Sequence, residues 1–127
     1  MKQLTLVLAL KDRHEETINW IKNNIYDEYD YLVVDGSIKN FNQKIFLEHK
    51  FKNLKYYRCK KDLNVKNFYK KLHFASKKIK TQFVMAIDND DYINPKAINE
   101  CIIFLKNNKN FSFVGGYLSG VNKFSNT

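Results

Sequence analysis

Of the 22 basic residues in the chain only Arg13 and Arg58 are arginines. That shortage of planar guanidinium forks, which grip phosphate and guanine bidentately, argues against sequence-specific reading of DNA. Cysteine is equally scarce: Cys59 and Cys101 lack the paired spacing of a zinc site or redox motif and read as reduced core residues. No apolar stretch approaches the ~20 residues needed to span a bilayer. The run Leu4 to Leu10 behind Met1-Lys2 superficially resembles a signal peptide, but it is short and meets Lys11-Asp12-Arg13 instead of a small-residue cleavage site. The expected location is cytoplasmic, with peripheral attachment to the inner face of the membrane through lysine-rich faces left open. No G-x-S-x-G, P-loop or G-x-G-x-x-G occurs, which weighs against hydrolase, NTPase and dinucleotide readings. His14, His49 and His73 lack the i, i+4 spacing or acidic partners of a zinc or relay site, and are read as surface or partly buried side chains without a role.

What is present is enough for one real core. The chain has 127 residues, 44% of them hydrophobic, with ten Phe and eight Tyr, so it is expected to fold as a single domain over 1–127 although 28% of it is charged. A net charge of +9 favours anionic partners. Nearly all of that charge is lysine, and a solvated lysine-rich face is the plainest account of it.

Along the chain, apolar runs alternate with helical patterns. Leu4 to Leu10 is an almost unbroken aliphatic run, suited to a central strand covered on both faces. Ile18, Ile21 and Ile25 then recur at helical spacing, and Asp12 with Glu15 resembles a capping box. Tyr31 to Val34 reads as a second strand ending at the turn pair Asp35-Gly36. A short helix is expected within 41–51, then a third strand over Leu54 to Arg58. An amphipathic helix follows, capped by Asn64, with Val65, Phe68, Leu72 and Ile79 as its inward stripe and Lys70, Lys71, Lys77, Lys78 and Lys80 on the remaining surface. Phe83 to Ile87 reads as a buried strand, Asn94-Pro95 as a helix start carrying Ile98, Cys101, Ile102 and Leu105 inward, and Phe111 to Val114 as a last strand. The alternation implies an α/β fold: a three-layer α/β/α, Rossmann-like, mostly parallel sheet. Ligands in such sheets bind beyond the carboxyl ends of the strands, which selects the loops starting at Lys11, Asp35 and Asp88.

Asp88, Asp90 and Asp91 concentrate three negative charges where a strand leaves the core. If residues 88–90 stay extended, Asp88 and Asp90 point to one side and offer hard oxygen ligands for Mg²⁺ or Mn²⁺. A helix cap is the competing explanation, but Asn94-Pro95 already serves that purpose. An EF-hand loop fails, because counting from Asp88 puts Ile93 where Gly is needed and Asn99 where the bidentate Glu belongs. Asp35 is also explained by turn chemistry, and Asp12 by a helix cap.

Three segments together resemble the family-2-like glycosyltransferases of GT-A fold: Leu8-Ala9-Leu10-Lys11-Asp12-Arg13, Val33-Val34-Asp35-Gly36-Ser37, and Asp88-Asn89-Asp90-Asp91-Tyr92 followed by Pro95 and its helix. The resemblance implies a nucleotide diphosphate-sugar donor across the strand ends, with Asp12 and Asp35 near base and ribose and Asp88 on ribose or metal. It further implies that Asp90 binds Mn²⁺ or Mg²⁺, that Asp91 supports it, and that Lys71 or Arg13 approaches the phosphates. Transfer to a saccharide or lipid-linked acceptor with inversion, in surface polysaccharide or glycolipid synthesis, is the implied activity. Two departures stand out: Val34 precedes Asp35 where many members carry a second acid, and the Arg-Asn pair of the preceding helix is missing around Leu72-His73. Family enzymes continue well past the point where this chain ends at Thr127, so the acceptor half and the general base are expected beyond the chain end. The alternatives are a non-catalytic nucleotide-binding module and a basic polyanion-binding protein. Strand edges left uncovered predict a homodimer.

Overall fold

The computed structural model describes residues 2–39, 44 and 51–116. The described elements are β1 (Leu4–Leu10), α1 (His14–Asn24), β2 (Asp30–Asp35), β3 (Leu54–Arg58), α2 (Val65–Lys78), β4 (Phe83–Ile87) and α3 (Pro95–Asn107). The chain forms two compact units, Met1–Tyr92 and Ile93–Thr127.

The first unit holds a four-stranded sheet in the order β3-β2-β1-β4, with every pairing parallel. Central β1 explains its own composition: Leu4, Leu6, Val7, Leu8 and Leu10 are all buried, because helices cover both sides of the sheet. On one side Val7, Leu32 and Val34 pack on Ala75 of α2, joined by Tyr57, Phe74 and Ile79. On the other, Tyr31 reaches α1, its hydroxyl donating to the Asn24 carbonyl at 2.6 Å and accepting from Tyr26 N at 3.0 Å. The result is the three-layer Rossmann-like α/β architecture that the alternation predicts.

Several local expectations need correction. β4 is not buried: it is an edge strand paired only with β1 among the described residues, so Val84 is 56% exposed and only Ile87 of the strand is buried. The inward stripe of α2 is not led by Val65 and Phe68, which are 68% and 38% exposed; its buried residues are Lys71 and Ala75. Lys71 can turn inward because a buried acid, Asp62, neutralises it. The Asp12–Glu15 capping box does not form. Arg13 occupies the N-cap of α1 with no side-chain cap, and Asp12 and Arg13 both adopt left-handed backbone with φ near 55°. The caps of the later helices are as expected: Asn64 accepts from Asn67 N at 2.9 Å, and Asn94 from Lys96 N at 3.1 Å ahead of Pro95.

In the second unit Ile98 and Ile102 are the buried residues of α3, with Cys101 and Leu105 half-buried. Phe111 to Val114 is not a strand. Phe111 N closes a turn on the Asn108 carbonyl, its ring meets Phe104 edge-on at 5.3 Å, and Phe113 is 81% exposed. A strand exists only where a neighbour completes its ladder, and this run has none among the described residues. The helix expected within 41–51 lies outside the described residues, apart from helical Lys44.

Candidate functional site

All four strands are parallel, so their carboxyl ends emerge on one rim. β2 lies on one side of β1 and β4 on the other, which makes the gap beyond β1 and β4 the place where strand order reverses and where such sheets receive ligands. A crevice of about 270 Å³ opens there, lined by Leu8 to Lys11, Arg13, Asp88, Asn89 and Asp90. A second, of about 360 Å³, is lined by Ala9, Lys11, Asp62, Leu63, Asn64, Val65, Phe68 and Lys71. Ala9 and Lys11 belong to both, so the two adjoin across the end of β1.

The acidic segment after β4 is a turn, not the extended run expected: Asp91 N donates to the Asp88 carbonyl at 3.2 Å. The turn still gathers carboxylate oxygens of Asp88, Asp90 and Asp91 within 4.8 Å of one another, and all three residues are exposed. Helix α1 anchors it. Asn89 donates to Thr17 Oγ1 at 2.9 Å, Thr17 donates to the Arg13 carbonyl at 2.8 Å, and the Trp20 indole N–H donates to the Asp91 carbonyl. The same helix start therefore fixes both the left-handed Asp12-Arg13 loop and the acidic turn facing it. Backbone strain of this kind is concentrated where geometry is functional.

Asp35 is placed very differently. Its side chain is 0% exposed and lines neither crevice. One oxygen accepts from Ser37 N at 2.8 Å, from Ser37 Oγ and from Arg58 at 3.1 Å; the other accepts from the Tyr56 hydroxyl and meets His14 Nε2 at 3.3 Å. Burial by itself would raise the Asp35 carboxyl, but the hydrogen bonds from Ser37 and Tyr56 and the Arg58 charge outweigh it and hold the carboxyl below its ordinary range. Burial, then the bond to Asp35, pushes the Tyr56 phenol up. His14 thus has the acidic partner that its sequence neighbourhood does not reveal.

The network also holds the β1 loop. Ser37 Oγ accepts from Asp12 N at 2.7 Å and lies 3.0 Å from His14, while the Asp12 carboxylate accepts from Lys39 N at 3.1 Å. Below the second crevice, Lys71 is 2% exposed, pairs with Asp62 and donates to the Leu10 carbonyl at 3.0 Å. The Asp62 carboxylate lies directly on Gly36, where a Cβ would run into it, and its second oxygen has no hydrogen-bond partner among the described residues.

Of the residues singled out from sequence, Arg13, Asp88 and Asp90 therefore share one crevice, and Lys71 lines the other as a buried, paired cation. Asp12 stands at the loop between β1 and α1 with its carboxylate on the β2 loop, and Asp35 sits beneath. Thr17, Trp20, Tyr56, Arg58 and Asp62 carry the site's framework without having been singled out. Asp35-x-Ser37 was the one local clue, since a side-chain carboxylate bonding two residues on is ordinary Asx-turn chemistry.

The arrangement defines a Rossmann-like α/β protein with an open carboxylate cluster at the switch point of its sheet. Among solved structures it is similar to S. aureus TarS 1–349, with a TM-score of 0.63 and 19% identity over 84% of this chain and 33% of that one. A longer S. aureus TarS structure gives a TM-score of 0.62 and 21% identity over 84% of this chain and 20% of that one. At these identities the likeness is one of fold, and the chain spans a third or less of the lengths it matches. No protein-family model and no curated protein sequence matches the chain.

Proposed function

We propose that this chain is the donor-binding portion of a GT-A glycosyltransferase, taking a nucleotide diphosphate-sugar together with Mn²⁺ or Mg²⁺. The observation that carries the reading is the convergence of Asp88, Asp90 and Asp91 beside Arg13 at the switch-point crevice. The fold likeness to TarS, a glycosyltransferase, supports it. The donor set fits the metal: hard carboxylate oxygens suit Mg²⁺ and Mn²⁺, and a few exposed ligands leave coordination positions for phosphate oxygens and water. When bound, the cation would neutralise the charge that grows on the departing nucleoside diphosphate.

The chain's own groups supply the rest. Lys11 and Arg13 add positive charge along the path from one crevice to the other, and Val65 and Phe68 offer the second crevice an apolar wall suited to a flat base. Asp35 acts through Ser37 and His14, keeping the Asp12-Arg13 loop in its left-handed form. The acceptor class is a saccharide or a lipid-linked sugar, whose hydroxyl would attack the donor's anomeric carbon on the face opposite the departing nucleoside diphosphate. Titration of UDP, GDP and CDP with and without Mn²⁺, on the wild type and Asp90→Ala, tests the reading. Metal-dependent binding lost in the variant is the expected outcome; binding indifferent to Mn²⁺ rejects it. Release or transfer of sugar then separates an enzyme from a binding module.

A further inference from the structure

The charge of this chain is not spread evenly. From Phe51 to Ile87 the sequence carries ten lysines and Arg58 against one acid, Asp62. That acid is consumed inside the fold by Lys71, and Arg58 is engaged with Asp35 and Ser37. Lys78 folds back over the rings of Tyr57 and Phe74, 5.2 and 5.3 Å from their centroids. Of the five lysines of α2, Lys66, Lys70 and Lys77 remain. At helical spacing they share the face of α2 opposite buried Lys71 and Ala75, with Tyr69 and His73 beside them. All three lysines are exposed, none makes an ion pair among the described residues, and α2 contains no acid. Exposed Lys60 and Lys61 extend the basic stripe at one end, and Lys80 at the other.

We propose that this outer face of α2 docks on an anionic lipid bilayer. The sign of the charge requires an anionic partner, and three features select a membrane over nucleic acid. The cations are lysines, point charges on long stems that reach headgroups without needing the planar fork of arginine. Tyr69, 63% exposed in their midst, is the amphipathic residue type that settles at a headgroup interface. The stripe is a single convex helix face, not a groove that could track a strand. Lys66, Lys70 and Lys77 line neither crevice, so the surface is separate from the proposed donor site.

Co-sedimentation of the full chain with phosphatidylcholine vesicles, with and without phosphatidylglycerol, tests this. Binding is expected only with phosphatidylglycerol and should weaken as salt is raised. At about 1 kcal/mol per lysine near an anionic surface, or roughly fivefold each, the triple variant Lys66→Gln, Lys70→Gln, Lys77→Gln should bind about a hundredfold more weakly. The control triple Lys96→Gln, Lys106→Gln, Lys109→Gln removes the same charge from the second unit and should keep most of the affinity. Tyr69→Ala should bind less tightly at unchanged salt dependence. Absence of vesicle binding at low salt overturns the proposal, as does equal loss in both triples. Tighter binding to single-stranded RNA than to vesicles, abolished by the α2 triple, would reassign the face to nucleic acid.

Discussion

Two groups of carboxylates stand at equivalent places in this fold, on either side of β1, and meet opposite fates. Asp35 ends β2 and is wholly buried, with hydrogen bonds or ion pairs to Ser37, Arg58, Tyr56 and His14. Asp88, Asp90 and Asp91 follow β4 and are exposed, and none of them forms an ion pair among the described residues. The sheet order accounts for the difference. β2 is an interior strand, and its neighbour β3 delivers Tyr56 and Arg58 to the acid; β4 is an edge with no strand beyond it among the described residues to do the same. One acid is satisfied by the protein, so it stabilises the fold; the other three keep their charge exposed, which is the feature on which the proposed cation site rests.

The strongest way to break this comparison is to remove the satisfied acid. Asp35→Ala leaves half-buried Arg58 and Tyr56 without their shared acid and should cost about 3 kcal/mol, the low end for breaking a buried pair, measured by urea unfolding at neutral pH. The pH dependence sharpens the same point. The folded-state carboxyl lies below its ordinary range, so its contribution is fully present above the unfolded value near ~3.9 and is lost as pH falls through the lower folded value. Wild type and Asp35→Asn should therefore differ steadily from neutral pH down to about pH 4 and converge only in stronger acid. Convergence well above that would mean the carboxylate is not held ionised by its partners.

Gly36 offers an intermediate test. Its φ is not positive, so alanine there brings no left-handed strain; the cost comes from a Cβ meeting the Asp62 carboxylate, which Lys71 pins in place. Gly36→Ala is expected to lose roughly 1–3 kcal/mol, the usual range for overpacking. A neutral result would show that the Asp62–Lys71 pair gives way easily, so that it is not part of the rigid floor beneath the second crevice.

The alternation of apolar runs and helical stripes was enough to read the sheet, because β1 and β2 are buried on both faces and say so in their composition. It misread β4, since an apolar pentapeptide looks the same at an edge as in the middle, and Phe111 to Val114, since a strand depends on a partner that local sequence does not contain. Lysine was the least legible residue. Lys71 sits among exposed lysines in the helix and differs from them only because Asp62, nine residues earlier, folds beneath it. The acids at 88, 90 and 91 stood out because their cluster is local in sequence. The His14–Asp35 contact did not, since it joins residues 21 apart through the tertiary fold.

The smallest effect on stability should come from the open acids, and that smallness is itself informative. Asp90→Ala removes no side-chain hydrogen bond found among the described residues, and it relieves repulsion from Asp88 and Asp91 within 4.8 Å, so unfolding without added metal should shift by no more than about 0.5 kcal/mol. Adding Mn²⁺ should then separate the proteins. A ligand that binds only the folded state stabilises it by RT ln(1 + [L]/Kd), about 2.7 kcal/mol at a hundredfold excess over Kd. Wild-type melting temperature should therefore rise with Mn²⁺ while that of Asp90→Ala stays put, and Asp35→Asn, although less stable, should keep the Mn²⁺-dependent increment. Equal increments in wild type and Asp90→Ala would place the cation elsewhere. A large loss of stability in Asp90→Ala without metal would show that the acids after β4 are structural after all, and the contrast between the two sides of β1 would vanish.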